Sequence, residues 1–138
     1  MRAIATLALL LAIGVAACGG SKDAAPTTWN GPERPYPEDG VLPVEEFNAY
    51  ADATEGNWKQ DPEQLALEFT QVHGAEATVE GAEVTLLRDD LEDDSVRAER
   101  YVLHVRPEGD EWRLVSAQWE QQCHQNRGHQ DFSPALCI

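Results

Sequence analysis

The chain has 138 residues, of which 25 are acidic and 10 are basic, and its formal net charge at pH 7 is −15. That length allows a single domain. The acidic excess excludes nucleic acid and anionic lipid headgroups as direct partners, because binding to either depends on cationic contacts. Cations or basic partners are compatible with this charge, and so is a surface that only maintains solubility.

Residues 1–17 predict an export signal. Arg2 provides a positive start, and residues 4–15 are uncharged and apolar. A helix that spans a bilayer needs roughly 20 apolar residues, so this stretch is too short to be a transmembrane segment. We therefore expect residues 1–17 to be a signal peptide that is absent from the mature protein.

The end of this signal resembles the lipobox of bacterial lipoproteins. Residues 15–18 place an aliphatic residue and two alanines before Cys18. The resemblance implies that Cys18 becomes the acylated N-terminus and carries a diacylglyceryl group, which anchors the chain without a transmembrane helix. Gly19, where inner-membrane lipoproteins tend to carry aspartate, implies an outer-membrane location with the domain facing the periplasm. A plain secretory signal cleaved after Ala17 is the alternative.

Residues 18–40 predict a flexible linker between the lipid and the domain. They are rich in glycine, proline, serine and threonine and contain almost no aliphatic side chains. Such a composition cannot bury enough apolar surface to fold. Trp29 and Tyr36 are the exceptions, and two locations stay open for them: docked on the domain, or near the lipid headgroups.

The folded domain is predicted over residues 41–138, beginning with two helices. Pro43 suits a first helical position, and Val44, Phe47 and Ala51 recur at helical spacing. The second helix has a clearer start, because Asp61 can cap it and Pro62 follows. We expect this helix to end at a left-handed Gly74, and Leu65, Phe69 and Val72 to form its apolar face.

Four strands follow in the sequence, with the segments EATVE, EVTLLR, RYVLHVR and EWRLVSAQWEQQC. Residues 107–110 form a strong hairpin signal between the last two strands. In the last strand, Val115, Ala117 and Trp119 share one predicted apolar face. These patterns predict an α+β fold in which two helices cover a curved antiparallel sheet of about four strands. The layout resembles the cystatin-like or nuclear-transport-factor-2-like group.

An acidic loop is predicted at residues 89–94, between two strands, with five carboxylates in the sequence DDLEDD. Calcium prefers such oxygen ligands, but the order of residues differs from a helix-loop-helix calcium site. A solvated charged loop, offset by Arg88, Arg97 and Arg100, is the commoner structure. Calcium or cation binding here is kept as an alternative function.

The C-terminal segment contains the two other cysteines of the three in the chain. Once the lipobox resemblance assigns Cys18 to a lipid, Cys123 and Cys137 are left as a pair, and disulfides persist in an oxidising envelope compartment. This bond would close a loop of about 15 residues and contribute about 3 kcal/mol in the chain-entropy model. The segment 123–137 also resembles the ends of bacterial lipoproteins that have no assigned activity, which implies a shared fold element.

Two other interpretations of this segment are weaker. A zinc site would use Cys123, His124, His129 and Cys137, with Asp131 as an additional candidate ligand, but their spacing is unlike that of structural zinc sites. A catalytic centre would use Ser133, His129 and Asp131, but triads depend on separate elements to hold their geometry. We therefore predict a C-terminal disulfide loop, with no metal ligands, no cofactor and no catalytic residues.

Together these patterns predict a lipid-anchored lipoprotein of the cell envelope, with a small acidic binding or interaction module that is not an enzyme. Its partners would be the membrane, through the anchor, and an envelope protein; nucleic acid is not expected. One alternative is a small-ligand carrier or enzyme that uses a cavity between the helices and the sheet. The other is a cation-binding protein that acts through residues 89–94.

Overall fold

The computed structural model describes residues 24–138. The predicted signal peptide, Cys18 and the first part of the predicted linker lie outside the described residues. The elements, in chain order, are β1 (Val41–Leu42), α1 (Glu45–Ala53), a 3₁₀ helix (Asn57–Gln60), α2 (Pro62–Thr70), β2 (Glu76–Glu80), β3 (Glu83–Arg88), β4 (Val96–Glu108) and β5 (Glu111–Cys123). Within 24–138, no helix has the length and apolar character needed to cross a bilayer.

The strands form one antiparallel sheet in the order β1-β5-β4-β3-β2, so the fold is α+β as expected. The sheet has five strands, whereas the sequence predicted about four. The additional strand, β1, has only two residues and lies before α1, pairing Val41 with Gln118 and Leu42 with Ala117. Two residues are too few to show the alternation that identifies a strand in a sequence. The long β4–β5 hairpin turns at Gly109 and Asp110, within the predicted segment.

The second helix begins as its sequence predicts but ends earlier. The Asp61 carboxylate accepts hydrogen bonds from the backbone amides of Glu63 and Gln64, at 2.9 and 3.1 Å. The expected stop at Gly74 is wrong, because Gln71 adopts the left-handed conformation with φ 53° and its amide donates to the carbonyl of Leu67. The helix ends at this residue, and Val72, which follows it, is buried in the core.

The core lies between the helices and the sheet face that carries Leu86, Tyr101 and Trp119, here called the inner face. The helices contribute chiefly Phe47, Tyr50, Leu65, Ala66 and Phe69. Each of these side chains is at most 8% exposed, so the two layers form one continuous apolar core.

The last strand deviates from its predicted alternation at one residue. Val115 was expected to share a face with Ala117 and Trp119, but it is 51% exposed, whereas Leu114 is 2% exposed. The register shifts here, because Val105 pairs with Leu114 while His104 pairs with Ser116. Val115 is the extra residue of a β-bulge, and a bulge changes the phase of alternation.

Within the predicted 18–40 linker, residues 29–40 pack on the domain, so Trp29 and Tyr36 take the docked location of the two that the sequence left open. Trp29 lies against the rings of Phe47 and Phe69, with centroid distances of 5.3 and 5.8 Å. Tyr36 lies against Trp119 at 5.0 Å. Composition alone does not show this packing, because a few aromatic side chains can anchor a polar segment whose other residues stay at the surface.

The C-terminal tail runs along the part of β5 that the short strand β1 leaves unpaired. Ser133 forms a two-way backbone pair with Gln121, at 2.9 and 3.0 Å. Cys123 and Cys137 are bonded to each other, with their Cα atoms 5.5 Å apart. The pairing expected from the cysteine count is therefore present, and it holds residues 134–136 against the sheet.

Candidate binding cavity

The strand register assembles a polar row on the inner face, beyond the apolar core. Arg88 of β3 pairs with Glu99 of β4, and Glu99 pairs with Gln121 of β5. Glu99 lies two residues before Tyr101, so both side chains point to the inner face. The core therefore ends at Tyr101, and a charged row follows it on the same face.

A cavity of about 930 Å³ lies over this row. Its walls come from the N-terminal segment, the ends of β3 to β5, the acidic loop and the C-terminal tail. The residues that line it include Arg34, Tyr36, Arg88, Glu99, Trp119, Gln121 and residues 134–136. The volume lies within the range of small-molecule sites, about 300 to 1,000 Å³.

Glu99 is a buried carboxylate with a cation beside each oxygen. Its residue exposure is 7%. Its Oε2 accepts a hydrogen bond from Arg88 Nη1 at 3.1 Å, and its Oε1 lies 3.6 Å from Arg34 Nη2. An unpaired charge in this position would be strongly unfavourable, and the two guanidinium groups provide the partners that a buried carboxylate needs.

Two phenols lie beside this ion pair. The hydroxyl groups of Tyr36 and Tyr101 share a hydrogen bond of 3.1 Å, and Arg34 Nη2 donates to the Tyr101 oxygen at 3.2 Å. The Arg34 guanidinium also lies 4.3 Å from the centre of the Tyr36 ring. Burial, the hydrogen bond to Tyr36 and the nearby Glu99 carboxylate raise the pKa of Tyr101 well above its usual value. Its phenol is therefore neutral at physiological pH.

The C-terminal tail forms one wall of the cavity and is held at several points. Gln121 Nε2 donates to the Ala135 carbonyl at 2.8 Å, and His129 Nε2 lies 2.7 Å from the same oxygen. The Cys123–Cys137 bond fixes the chain just after this wall. The disulfide therefore positions a surface of the cavity as well as closing a loop.

The indole of Trp119 lies at the base of the cavity wall. Trp119 is 4% exposed, and among the described residues its Nε1–H has no hydrogen-bond partner. A buried donor without a partner costs about 1–3 kcal/mol. Buried polar groups that lack partners are uncommon, and a bound polar group in the cavity is one way in which such a donor is satisfied.

The alternative metal and catalytic interpretations of the tail do not match its geometry. Cys123, His129 and Cys137 bring their ligand atoms within 4.8 Å of one another. The two sulfurs are bonded together, however, and metal binding requires thiolates. The ring nitrogens of His129 face the carbonyls of Asp131 and Ala135, both at 2.7 Å, so its ring does not activate the Ser133 hydroxyl.

In the acidic loop at residues 89–94, the carboxylates of Asp89 and Asp93 are engaged in local contacts. Asp93 accepts from the amides of Ser95 and Val96 at 2.8 and 2.7 Å, and these hydrogen bonds lower the pKa of Asp93. Asp89 lies 3.7 Å from Arg97. Over the described part of the chain, the carboxylates of this loop form no group of three that converges on one point. The loop instead contributes residues 91–93 to the cavity wall.

Sequence analysis missed the central residues of the cavity. Arg34 lay within the expected linker, and Glu99 lay among the charged residues that precede the expected strand. One signal was present: Glu99 is in the same alternating phase as Tyr101 and Leu103, both of which are fully buried. An acidic residue in an apolar phase indicates a buried carboxylate that needs a partner.

Comparison with known proteins finds no matching family, no matching curated protein and no matching solved structure. The observations that bear on function are therefore the cavity and the sequence pattern at Cys18.

Proposed function

We propose that the chain is a lipid-anchored binding protein of the bacterial cell envelope that takes a small molecule in the cavity over Glu99. The pattern at residues 15–18 supports the anchor, and Gly19 favours the outer membrane, with the domain facing the periplasm. We also propose that the arrangement of helices and sheet resembles the cystatin-like or nuclear-transport-factor-2-like group. Its support is the sheet with helices on one face and an open end.

The observation that carries the binding function is the combination of an apolar wall with a few buried polar groups in one cavity of about 930 Å³. Trp119, Val96 and residues 134–136 provide apolar surface, whereas the buried side chains of Glu99 and Gln121 provide polar atoms. This combination is typical of ligand sites, where apolar contact gives affinity and convergent polar groups give orientation.

Binding fits this cavity better than catalysis. Glu99 has a guanidinium beside each oxygen, so neither oxygen is free of a cationic neighbour. Tyr101 has a raised pKa and therefore keeps its proton. General acid–base catalysis works best when the pKa of the group lies near the working pH, and Tyr101 does not meet that condition.

A direct test is native mass spectrometry of the full chain recovered from a bacterial envelope, which would show a bound small molecule as additional mass. The variant A135W should lose this mass, because an indole on the tail wall occupies the cavity. The matched control V79W places the same side chain on the exposed face of the edge strand β2 and should retain it. Equal loss, or no bound mass in any form, would contradict the binding function.

The anchor has its own test. The variant C18S should move from the membrane fraction to the soluble fraction when the envelope is separated, because the lipid attaches to that thiol. A C18S protein that still sediments with membranes would rule out lipid attachment at this position. This result would leave the cavity proposal untouched.

A further inference from the structure

We infer that the cavity selects organic cations, with a guanidinium or ammonium head and an apolar body, and that Arg34 occupies the place of that head in the free protein. This inference rests on the proposed binding function and names its ligand class. It follows from what surrounds the Arg34 guanidinium.

The groups around Arg34 form a recognition set for a cation. The centre of the Tyr36 ring lies 4.3 Å from the guanidinium carbon of Arg34. The phenol oxygen of Tyr101 accepts a hydrogen bond from Arg34 Nη2 at 3.2 Å, and the buried Oε1 of Glu99 lies 3.6 Å from the same nitrogen. Aromatic faces and carboxylates are the groups that bind guanidinium and ammonium ions in proteins. The site is therefore already built for a cation, and the chain supplies one from its own N-terminal segment.

Arg34 is held loosely enough to be displaced. Its side chain is 56% exposed, and its contact with Glu99 is longer than that of Arg88, which is 33% exposed and bonds at 3.1 Å. The two arginines also face different oxygens of the carboxylate. When Arg34 leaves, Arg88 continues to neutralise Glu99, and the freed Oε1 accepts the head of the ligand.

The displaced side chain also has space to move into. Arg34, Tyr36 and Arg88 line a second cavity of about 640 Å³, which is also lined by Gln71 and His73 from the segment after α2. The N-terminal segment therefore lies between two open spaces. A rotation of the Arg34 side chain can vacate one space and enter the other without moving the sheet.

The remaining charges of the cavity favour a cationic ligand over an anionic one. Glu38, Glu92 and Asp93 lie on its rim, and the whole chain carries a net charge of −15. Such a field raises the local concentration of cations and repels anions. The apolar wall, residues 134–136 with Val96 and Trp119, then accommodates the body of the ligand.

The test uses three probes that each contain a six-carbon chain: hexylguanidinium, hexanol and hexanoate, in which the carboxylate carbon is the sixth. Isothermal titration calorimetry on the full chain should show binding of hexylguanidinium and none of hexanoate. The variant R34A should bind hexylguanidinium about tenfold more tightly than the wild type, because a site that is free in about one molecule of ten weakens apparent affinity by that factor.

The matched control is R106A, which removes the same charge from an exposed arginine of β4 that does not line the cavity. Its affinity for hexylguanidinium should equal that of the wild type. An equal gain in R106A would assign the effect to overall charge and overturn the inference. A preference for hexanoate, or an unchanged or weaker affinity in R34A, would overturn it as well.

The outcomes separate this inference from the function on which it rests. Hexanol and hexylguanidinium binding equally, with both lost in A135W, would support the cavity and contradict cation selection. If none of the probes binds the wild type or R34A, cation selection is wrong, and the mass found on the envelope-derived protein decides the binding function independently.

Discussion

The indole Nε1–H of Trp29 donates a 2.7 Å hydrogen bond to the backbone carbonyl of Phe69, 40 positions further along the chain. Phe69 lies in the last turn of α2, where carbonyls lack partners within the helix. The bond therefore satisfies a helix end with a side chain from the N-terminal segment. Together with the ring contacts of Trp29, it makes this segment part of the folded domain.

Replacement of Trp29 tests that relationship. The variant W29F keeps an aromatic ring but loses the hydrogen bond, and should lower the free energy of unfolding by about 0.5–1.5 kcal/mol. W29A also loses the packing against Phe47 and Phe69, and should cost up to about 3 kcal/mol. Urea unfolding measures both. An unchanged midpoint in W29A would mean that the segment behaves as a linker in solution.

The helix cap at Asp61 provides a local test. D61A should lower the free energy of unfolding by about 1 kcal/mol, because the amides of Glu63 and Gln64 lose their acceptor. D61N is the matched control, since asparagine caps about as well as aspartate. If D61N destabilised the protein as much as D61A, the charge of Asp61 rather than its capping geometry would be responsible.

The β-bulge at Val115 makes neighbouring residues respond differently to the same truncation. L114A should lower the free energy of unfolding by about 2–5 kcal/mol, because Leu114 is buried in the core. V115A should change it by less than about 0.5 kcal/mol, because Val115 faces solvent. Thermal unfolding of the two variants under one condition checks the register. A larger loss of unfolding free energy in V115A than in L114A would contradict the bulge and support the regular alternation expected from the sequence.

The Cys123–Cys137 bond should contribute both stability and cavity shape. In a C18S background, the double variant C123S/C137S should lose about 3 kcal/mol of unfolding free energy, the value expected for a loop of about 15 residues. The amides of Ala135 and Leu136 should also become more open to hydrogen exchange, because this segment loses its covalent tie. Reduction of the C18S protein is the control and should have the same effect. If reduction changed neither quantity, the tail would be held by its hydrogen bonds alone.

The raised pKa of Tyr101 predicts how the free energy of unfolding changes at alkaline pH. Its pKa in the folded protein is raised above about 10, the value of an unfolded tyrosine. Folding therefore favours the protonated phenol, and the resulting stability is fully present below pH of about 10 and is lost as the pH rises further. The variant Y101F should show a smaller fall in unfolding free energy between about pH 9 and about pH 11. Parallel curves for both proteins would contradict this assignment.

Local features of the fold were predictable because their causes lie within a few residues. Asp61 and Pro62 are adjacent and define a helix start, and residues 107–110 define the turn of the β4–β5 hairpin. The end of α2 was not predictable in this way. Gln71, rather than Gly74, ends it, because burial of Val72 against distant residues outweighs the local preference for glycine.

The candidate cavity was much less predictable than the fold. Its residues come from four separate parts of the chain, and their meeting depends on the register that places Arg88, Glu99 and Gln121 in one row. The contribution of Arg34 depends further on where the N-terminal segment docks. No spacing rule connects residue 34 to residue 99, because the contact is created by packing and not by periodicity.

By itself, the amino-acid sequence determined the acidic charge, the α+β class, the start of α2 and the availability of Cys123 and Cys137 for each other. These properties follow from composition, from short-range hydrogen bonding and from alternation along single elements. Only the tertiary structure decided that Trp29 and Tyr36 pack on the domain and that Arg34 reaches Glu99. Such contacts gain their energy from surfaces that are far apart in the chain and become neighbours only after the sheet and helices have assembled.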